Sequence, residues 1–524
     1  MNKTLADIIS KSPSSFQNPP LSSDSSETPP ELFDPLQLQL EADKNLSAAL
    51  TNARSTSASL DYTQTHVGFL ATEVGLCTLV LLRALEGYLY RPTRTSPCPS
   101  TNLNYSKPSA SSSPQTEPTA KTTLQNNLQR CAKVLADTFQ NAINVDAHLS
   151  RQNTDGLIAN DDGSEVLYGR AGLLYALLLL RQGLERRMVQ NSPGSTAPTS
   201  ESGDTRSESD RDLERFVGTL TSDGYLLEIV KSIIKRGEYG ASLYTSEFRR
   251  SGTATRASLD SLPSLMWSWH GKRYLGAAHG VAGILHILLL CPTAVISPYT
   301  TAILQTAKWL ISCQDSMGNW PTKAPGAKSQ RRSRHKETSD ENELVHWCHG
   351  APGILHFLCK LYQKSQTNST LFPLSQDASQ SLLRCIKRGA NLVYERGFLR
   401  KGVGLCHGLA GSIYTLLAVS DGGESNQDGA RDSESLYFRY ALHLAYLGCQ
   451  YERLTEEGEM DTPDRPLSLY EGLAGMCCAW AEVLRRLDFD ERGARSRDQN
   501  SSSSRPVGFM TTRRMGIPGF DNLD

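Results

Sequence analysis

Hydrophobic positions along this chain recur in two patterns, and the two alternate. In five segments a Gly-x-x-Gly step runs straight into a helix that is apolar almost all round: YGRAGLLYALLLL at Gly169, HGVAGILHILLL at Gly280, HGAPGILHFLCKLY at Gly350, HGLAGSIYTLLA at Gly408 and EGLAGMCCAWAEVL at Gly472. A sixth, degenerate copy, VGFLATEVGLCTLVLLRAL, carries Gly68 and Gly75. Between them lie amphipathic stretches whose apolar residues return every three or four positions, such as TAILQTAKWLISC (301–313), SQSLLRCIKRGANLVY (379–394) and ESLYFRYALHLAYLGCQY (434–451). Successive first glycines from Gly280 onward are 70, 58 and 64 residues apart, a period in the range of helical-hairpin arrays.

A helix that is apolar on every side is buried on every side, whereas one with a single apolar stripe lies at a surface. The alternation therefore predicts an all-α fold, an α/α toroid in which glycine-led inner helices ring an axis and amphipathic helices form an outer layer. Paired glycines suit the crowded inner ends, where a Cβ would clash. An open solenoid would show the same period. No copy of the repeat precedes residue 60, so six hairpins are expected.

An apolar fraction of 39% with 7% aromatics is lean for a globular enzyme, and the deficit sits in Ser/Thr/Pro-rich tracts. Residues 1–45 carry no sustained period and are read as disordered. Tracts near 92–121, 189–211, 323–343 and 420–434 fall between helical segments, which makes them surface insertions into one toroid over 46–487. Residues 488–524 read as a polar tail. A net charge of -1 offers no field to a polyanion, which argues against nucleic acid as a partner and against electrostatic membrane binding. The N-terminal MNKTLADIISKSPSSF lacks the apolar core of a secretory signal, and the longest apolar runs are too short to span a bilayer. The expected location is cytoplasmic, with a nuclear site or peripheral contact with the plasma membrane left open. Twelve cysteines spread over so long a chain read as reduced core thiols or metal ligands rather than a disulfide framework.

The candidate chemistry sits at the inner helix ends. Three repeats place histidine before the first glycine, at His279, His349 and His407, and two of these carry a preceding cysteine, Cys348 and Cys406. If the repeats close into a ring, these positions converge at one end of its axis. Thiolate and imidazole are the ligands zinc prefers, and three protein ligands with an open fourth position mark a catalytic site. Cys348, Cys406 and His407 are the expected triad, with His349 as an alternative fourth ligand that would close it. The plain alternative is two buried thiols beside histidines at helix ends.

The segments LVHWCHGAPGILHF, KGVGLCHGLAGSIY, YLGAAHGVAGIL, EVLYGRAGLLYALL and TPDRPLSLYEGLAGM closely resemble the eukaryotic LanC-like proteins, relatives of the bacterial lanthionine synthetase C cyclases. The resemblance runs from about residue 60 to 485. It implies a seven-hairpin α/α barrel, of which six hairpins are recognisable here, and one zinc ion held by Cys348, Cys406 and His407. It also implies glutathione as the thiol substrate, added to dehydroalanine or dehydrobutyrine in peptides or proteins. Zinc coordination would deprotonate such a thiol, and the adduct would need a proton from His279 or His349. Glu165 stands where the bacterial enzymes place an acid. Lys401, five residues before Cys406, matches a glutathione-contacting lysine of the family, and Asp461, Thr462, Pro463 and Asp464 stand where its Arg-Thr-Pro-Asp segment is expected, with aspartate in place of arginine. Leu344 replaces an arginine of the cyclases, which argues against peptide cyclisation. Two other readings compete: a glutathione- or zinc-binding scaffold without catalysis, and an α/α-toroid glycoside hydrolase using Glu165 and Glu471.

Overall fold

A computed structural model of the chain describes residues 45–46, 48–49, 67–86, 120–151, 163–190, 208–251, 255–326, 344–423, 435–498 and 515–523. Nearly all of the segment expected to be disordered, 1–45, and most of each expected insertion lie outside the described residues. Among the described residues the regular structure is helical, without β-strands. The longer helices are α1 (Glu73–Leu85), α2 (Ala120–Arg151), α3 (Arg170–Gln190), α4 (Glu208–Leu220), α5 (Asp223–Arg250), α6 (Val281–Leu289), α7 (Thr300–Ser312), α8 (Ala351–Thr367), α9 (Gln376–Arg396), α10 (Leu409–Gly423), α11 (Leu436–Gly448) and α12 (Leu473–Asp498).

The two sequence patterns become two layers. Every residue of α6 is buried, as are Arg170–Leu180 of α3 and Ala351–Leu361 of α8. By contrast α5, α7, α9 and α11 bury one face. The inner helices α1, α3, α6, α8, α10 and α12 pack in that succession, and outer helices such as α9 and α11 lie against them. This is the expected all-α toroid.

The two layers also start their helices differently. Outer helices α9 and α11 begin at serines whose hydroxyls accept a backbone N–H, Ser375 from Ala378 and Ser435 from Phe438. Apart from α1, which Thr72 caps through its hydroxyl, the inner helices begin at glycine, and in α6, α10 and α12 carbonyls seven residues upstream cap the first turns: Val281 N–H donates to Tyr274, Ala282 to Leu275, Leu409 to Gly402, Ala410 to Val403 and Leu473 to Pro466. The glycine-bearing loop thus folds back over the helix it introduces and satisfies N–H groups a helix start leaves open. Each loop also bonds to the next repeat. Gly68 N–H donates to Tyr168, Val166 to Ala278, Ala277 to Trp347, Cys348 to Cys406 and Cys406 to Tyr470, at 2.7 to 3.4 Å. A Cβ on Gly276 would lie 2.1 Å from the Cys348 carbonyl oxygen, so the stitching requires glycine there.

One expectation needs correcting. Residues 488–524 are not simply a polar tail: α12 runs to Asp498, and in the segment 515–523 Ile517 and Phe520 have no exposed surface. Two apolar residues three apart are too few to establish a period, so the sequence pattern did not mark them as buried.

Candidate metal centre

The ring of loops brings Cys348, Cys406 and His407 together. One donor atom from each lies within 4.8 Å of the other two, a convergence found only for these residues among the described ones. Cys348 precedes α8 and Cys406 precedes α10, and the bond from Cys348 N–H to the Cys406 carbonyl fixes one loop against the other at 3.2 Å. Tetrahedral zinc ligands at about 2.3 Å for sulfur and about 2.0 Å for nitrogen stand roughly 3.5–3.8 Å apart, so three donors within 4.8 Å of one another are of the type zinc takes and within reach of that spacing.

The electrostatics favour one thiolate even before any cation is considered. A hydrogen bond from the Cys406 thiol, with further help from His346 and His407, holds Cys348 well below the usual thiol range against the opposing effect of burial. The same hydrogen bond pushes Cys406 up, and burial adds to it. The pair therefore retains one proton between them, which a bound cation would displace.

Beside the thiols stands a second constellation. The Glu165 carboxylate is buried and accepts N–H bonds from Leu167 at 2.7 Å and Tyr168 at 2.5 Å, and lies 2.9 Å from His279 Nδ1. A carboxylate only accepts, so Nδ1 carries the proton and Nε2 is the end left for chemistry. Trp269 stacks on the imidazole at 3.7 Å with an interplanar angle of 4°, and Tyr168 lies parallel to the side of both rings, 6.2 Å from His279 and 6.4 Å from Trp269. His349 completes this side, with its ring centre 6.5 Å from His279 and 5.2 Å from Tyr274. Burial keeps the His349 imidazole below its ordinary pKa despite the pull of Cys348, and its Nδ1 is buried without a hydrogen-bond partner.

The remaining expected residues are Lys401 and the segment 461–464. Lys401 is exposed, yet near enough to act electrostatically on both Cys406 and His349. Asp461, Thr462 and Pro463 line a pocket of about 320 Å³ beside Gly402, together with Glu452 and Glu456, while Asp464 is exposed and does not line it. Asp461 is held by Arg400, whose Nε donates to its carboxylate at 3.3 Å. The aspartate standing in for the expected arginine therefore gives this pocket an acidic lining. Glu471 acts on Cys406 from the next loop, and Glu165 is already committed to two amides and an imidazole, which leaves it poorly placed to act as a glycosidase acid.

Sequence reasoning did not find His346, Trp269, Tyr168 or Tyr274. His346 lies two residues before Cys348, and its ring is 6.0 Å from that of His407. Trp269 lies in an irregular loop where periodicity is silent; its signal was the aromatic density of MWSWHGKRY at 266–274.

A family model for lanthionine synthetase C-like proteins matches residues 120–490. Among curated proteins the chain is 24% identical over 322 residues to the glutathione S-transferase LANCL1 of Danio rerio, covering 61% of this chain and 59% of that protein. It is 26% identical over 328 residues to the LanC-like protein GCL1 of Arabidopsis thaliana, covering 62% of this chain and 56% of that one. The matched part thus spans less than two thirds of either relative. No helix among the described residues is long and apolar enough to cross a membrane. With the family model covering well over half of the chain, this protein belongs to the lanthionine synthetase C-like family.

Proposed function

We propose that this protein is a zinc-dependent enzyme that adds the thiol of glutathione to electrophilic alkenes, such as dehydroalanine or dehydrobutyrine in proteins. The observation that carries the reading is the convergence of Cys348, Cys406 and His407 next to the Glu165–His279 pair. A relative bearing the name glutathione S-transferase supports the choice of thiol. When bound, zinc would hold a thiol as its thiolate at neutral pH. The chain's residues supply the rest. In the net reaction sulfur bonds to the alkene β-carbon, the double bond is consumed, and a proton is delivered to the α-carbon, so that S–H adds across C=C. His279 gives that proton from Nε2 while in its imidazolium form, with Glu165 accepting from Nδ1–H and thereby holding the ring's direction, and the proton released by the incoming thiol recharges the ring by way of solvent. Trp269 lies flat against the imidazole and fixes its rotation. His349, kept neutral by burial, offers an acceptor for the proton released from the incoming thiol. Lys401, close enough to act on Cys406 and His349, is the cation for one glutathione carboxylate, and Asp461, Thr462 and Pro463 line the pocket beside Gly402.

The test is metal content and transfer measured on one preparation of the full chain. Zinc near one per chain, with glutathione addition to a dehydroalanine peptide that is lost in Cys406→Ala, is the expected result. Transfer that persists unchanged in Cys406→Ala would reject the zinc mechanism.

A further inference from the structure

The segment 515–523 folds into the toroid and touches the residues that set both cysteine loops. Phe520 N–H and Asp521 N–H both donate to the Ile517 carbonyl, at 3.1 and 2.9 Å, closing a tight turn. Gly519 in that turn has φ +82°, and a Cβ there would come within 2.6 Å of Leu70 and 3.4 Å of the Tyr470 hydroxyl. The turn therefore bridges the loop before α1 and the loop before α12, the first and last inner helices. It is anchored in the axis by polar contacts. Tyr175 donates its hydroxyl proton to Asn522 Oδ1, and Asp521 Oδ2 lies 3.2 Å from His356 Nδ1. His286 Nε2 approaches Asp521 Oδ1 at 3.0 Å without the alignment of a hydrogen bond. Burial opposes the charge on Asp521, but His286 and His356, aided by Lys360, outweigh it and hold the carboxyl well below its usual range.

From this anchor two short paths lead to the cysteines. The Phe520 ring packs edge-on against Trp347, the residue before Cys348, with centroids 5.1 Å apart. Trp347 Nε1 is buried without a hydrogen bond, so packing alone sets that indole, from Phe520 on one side and Tyr470 at 5.5 Å on another. On the second path the Tyr470 hydroxyl donates to the Pro518 carbonyl at 2.9 Å, while the Tyr470 carbonyl accepts the Cys406 N–H at 2.7 Å.

We infer that residues 515–523 are an internal strap whose Phe520 and Pro518 position the metal centre, the first through Trp347 onto Cys348 and the second through Tyr470 onto Cys406. The inference rests on the metal-binding reading above. Partners that orient metal ligands typically change affinity by about 10- to 100-fold when lost.

The experiment titrates cobalt(II) as a zinc surrogate into the apo form of the full chain, reading the thiolate-to-cobalt absorption band and, by chelator competition, the affinity. Circular dichroism checks the fold of each variant. Phe520→Ala should weaken cobalt binding by about 10- to 100-fold and alter the band, and Phe520→Leu, which refills the space, should restore most of both. Tyr470→Phe keeps the ring and deletes only the bond to Pro518, so it decides the matter if Phe520→Ala does not fold; a loss of at least severalfold is expected. Folded variants that bind cobalt within twofold of the unaltered chain, with the same spectrum, overturn the strap. Absence of the band in the unaltered chain would instead sink the metal reading, and the strap with it.

Discussion

The replacement Glu165→Gln tests the proton delivery proposed for the Glu165–His279 pair separately from the proposed metal site. Glutamine keeps the shape of glutamate but has one accepting oxygen in place of two. Glu165 uses its two oxygens on separate N–H groups, Oε2 on Leu167 and Oε1 on Tyr168, and Oε2 also faces His279 Nδ1. In the variant one of those donors is orphaned, and a side-chain NH₂ can be turned toward an imidazole nitrogen that needs an acceptor. A hydrogen bond to a charged group is worth about 1.5–3 kcal/mol, and the low exposure of Glu165, 2%, places the site toward the upper end. At about 1.4 kcal/mol per tenfold, kcat for glutathione addition should fall by roughly 10- to 100-fold. KM for glutathione should stay near its starting value, because Glu165 acts through His279 rather than on the thiol. Stability should fall by about 1–3 kcal/mol from the orphaned amide. The assay is steady-state transfer to a dehydroalanine peptide, with zinc content and a thermal melt on the same sample. A fully loaded, folded variant whose kcat stays within twofold would refute the role assigned to the Glu165–His279 pair.

Two further outcomes follow from the geometry. Burial holds the fully buried His286 below its ordinary pKa, so between its folded value and about 6.5 the unfolded chain binds more protons and stability rises with pH; urea melts from pH 5 to 7 should lose up to about 1.4 kcal/mol per pH unit on acidification from this one group, and His286→Gln should flatten the slope by that amount. An unchanged slope in the variant would show that His286 is not the group responsible. Gly350 has φ +109° and would place a Cβ 2.0 Å from the Leu344 carbonyl, so Gly350→Ala should cost at least about 1–3 kcal/mol in strain and disturb the Cys348 loop; a wild-type melting temperature together with full metal content would contradict this.

How much of this was legible in the sequence depended on whether a feature is periodic. The inner helices announced themselves because being buried on all sides leaves no polar face, and YALLLL in α3 or ILHILLL in α6 can have no other origin. The metal cluster was legible for a related reason: a repeat that closes into a ring maps equal register onto equal place, so Cys348 and Cys406 had to approach once the ring was granted. Position within a repeat says less about which side chains pair. Glu165 and His279 were each singled out, but their 2.9 Å approach across 114 residues depends on how far one loop is rotated against the next, and Trp269, which clamps the histidine, belongs to no repeat.

Residues 515–523 mark the limit of such reading. GIPGFDN holds two large apolar residues three apart within a turn, too short for a period and separated from α12 by a serine-rich tract, so by pattern alone it belongs to a tail. Its burial is set by the space that the inner helices among the described residues leave at their axis and seam, a quantity that exists only after the ring has formed. A barrel of six recognisable hairpins should expose apolar faces between its first and last inner helices; the turn at Gly519 instead lies between Leu70 and Tyr470, and Phe520 has no exposed surface. The same placement explains why a charged residue is tolerated there. An unpaired carboxylate in the axis would cost several kcal/mol, whereas Asp521 meets imidazoles from two inner helices, His286 of α6 and His356 of α8. Each of these histidines lies seven residues beyond the loop histidine of its own repeat, His279 or His349. The repeat that places His279 and His349 at the ring's end thus supplies, two helical turns deeper, the imidazoles that meet Asp521 of the segment 515–523.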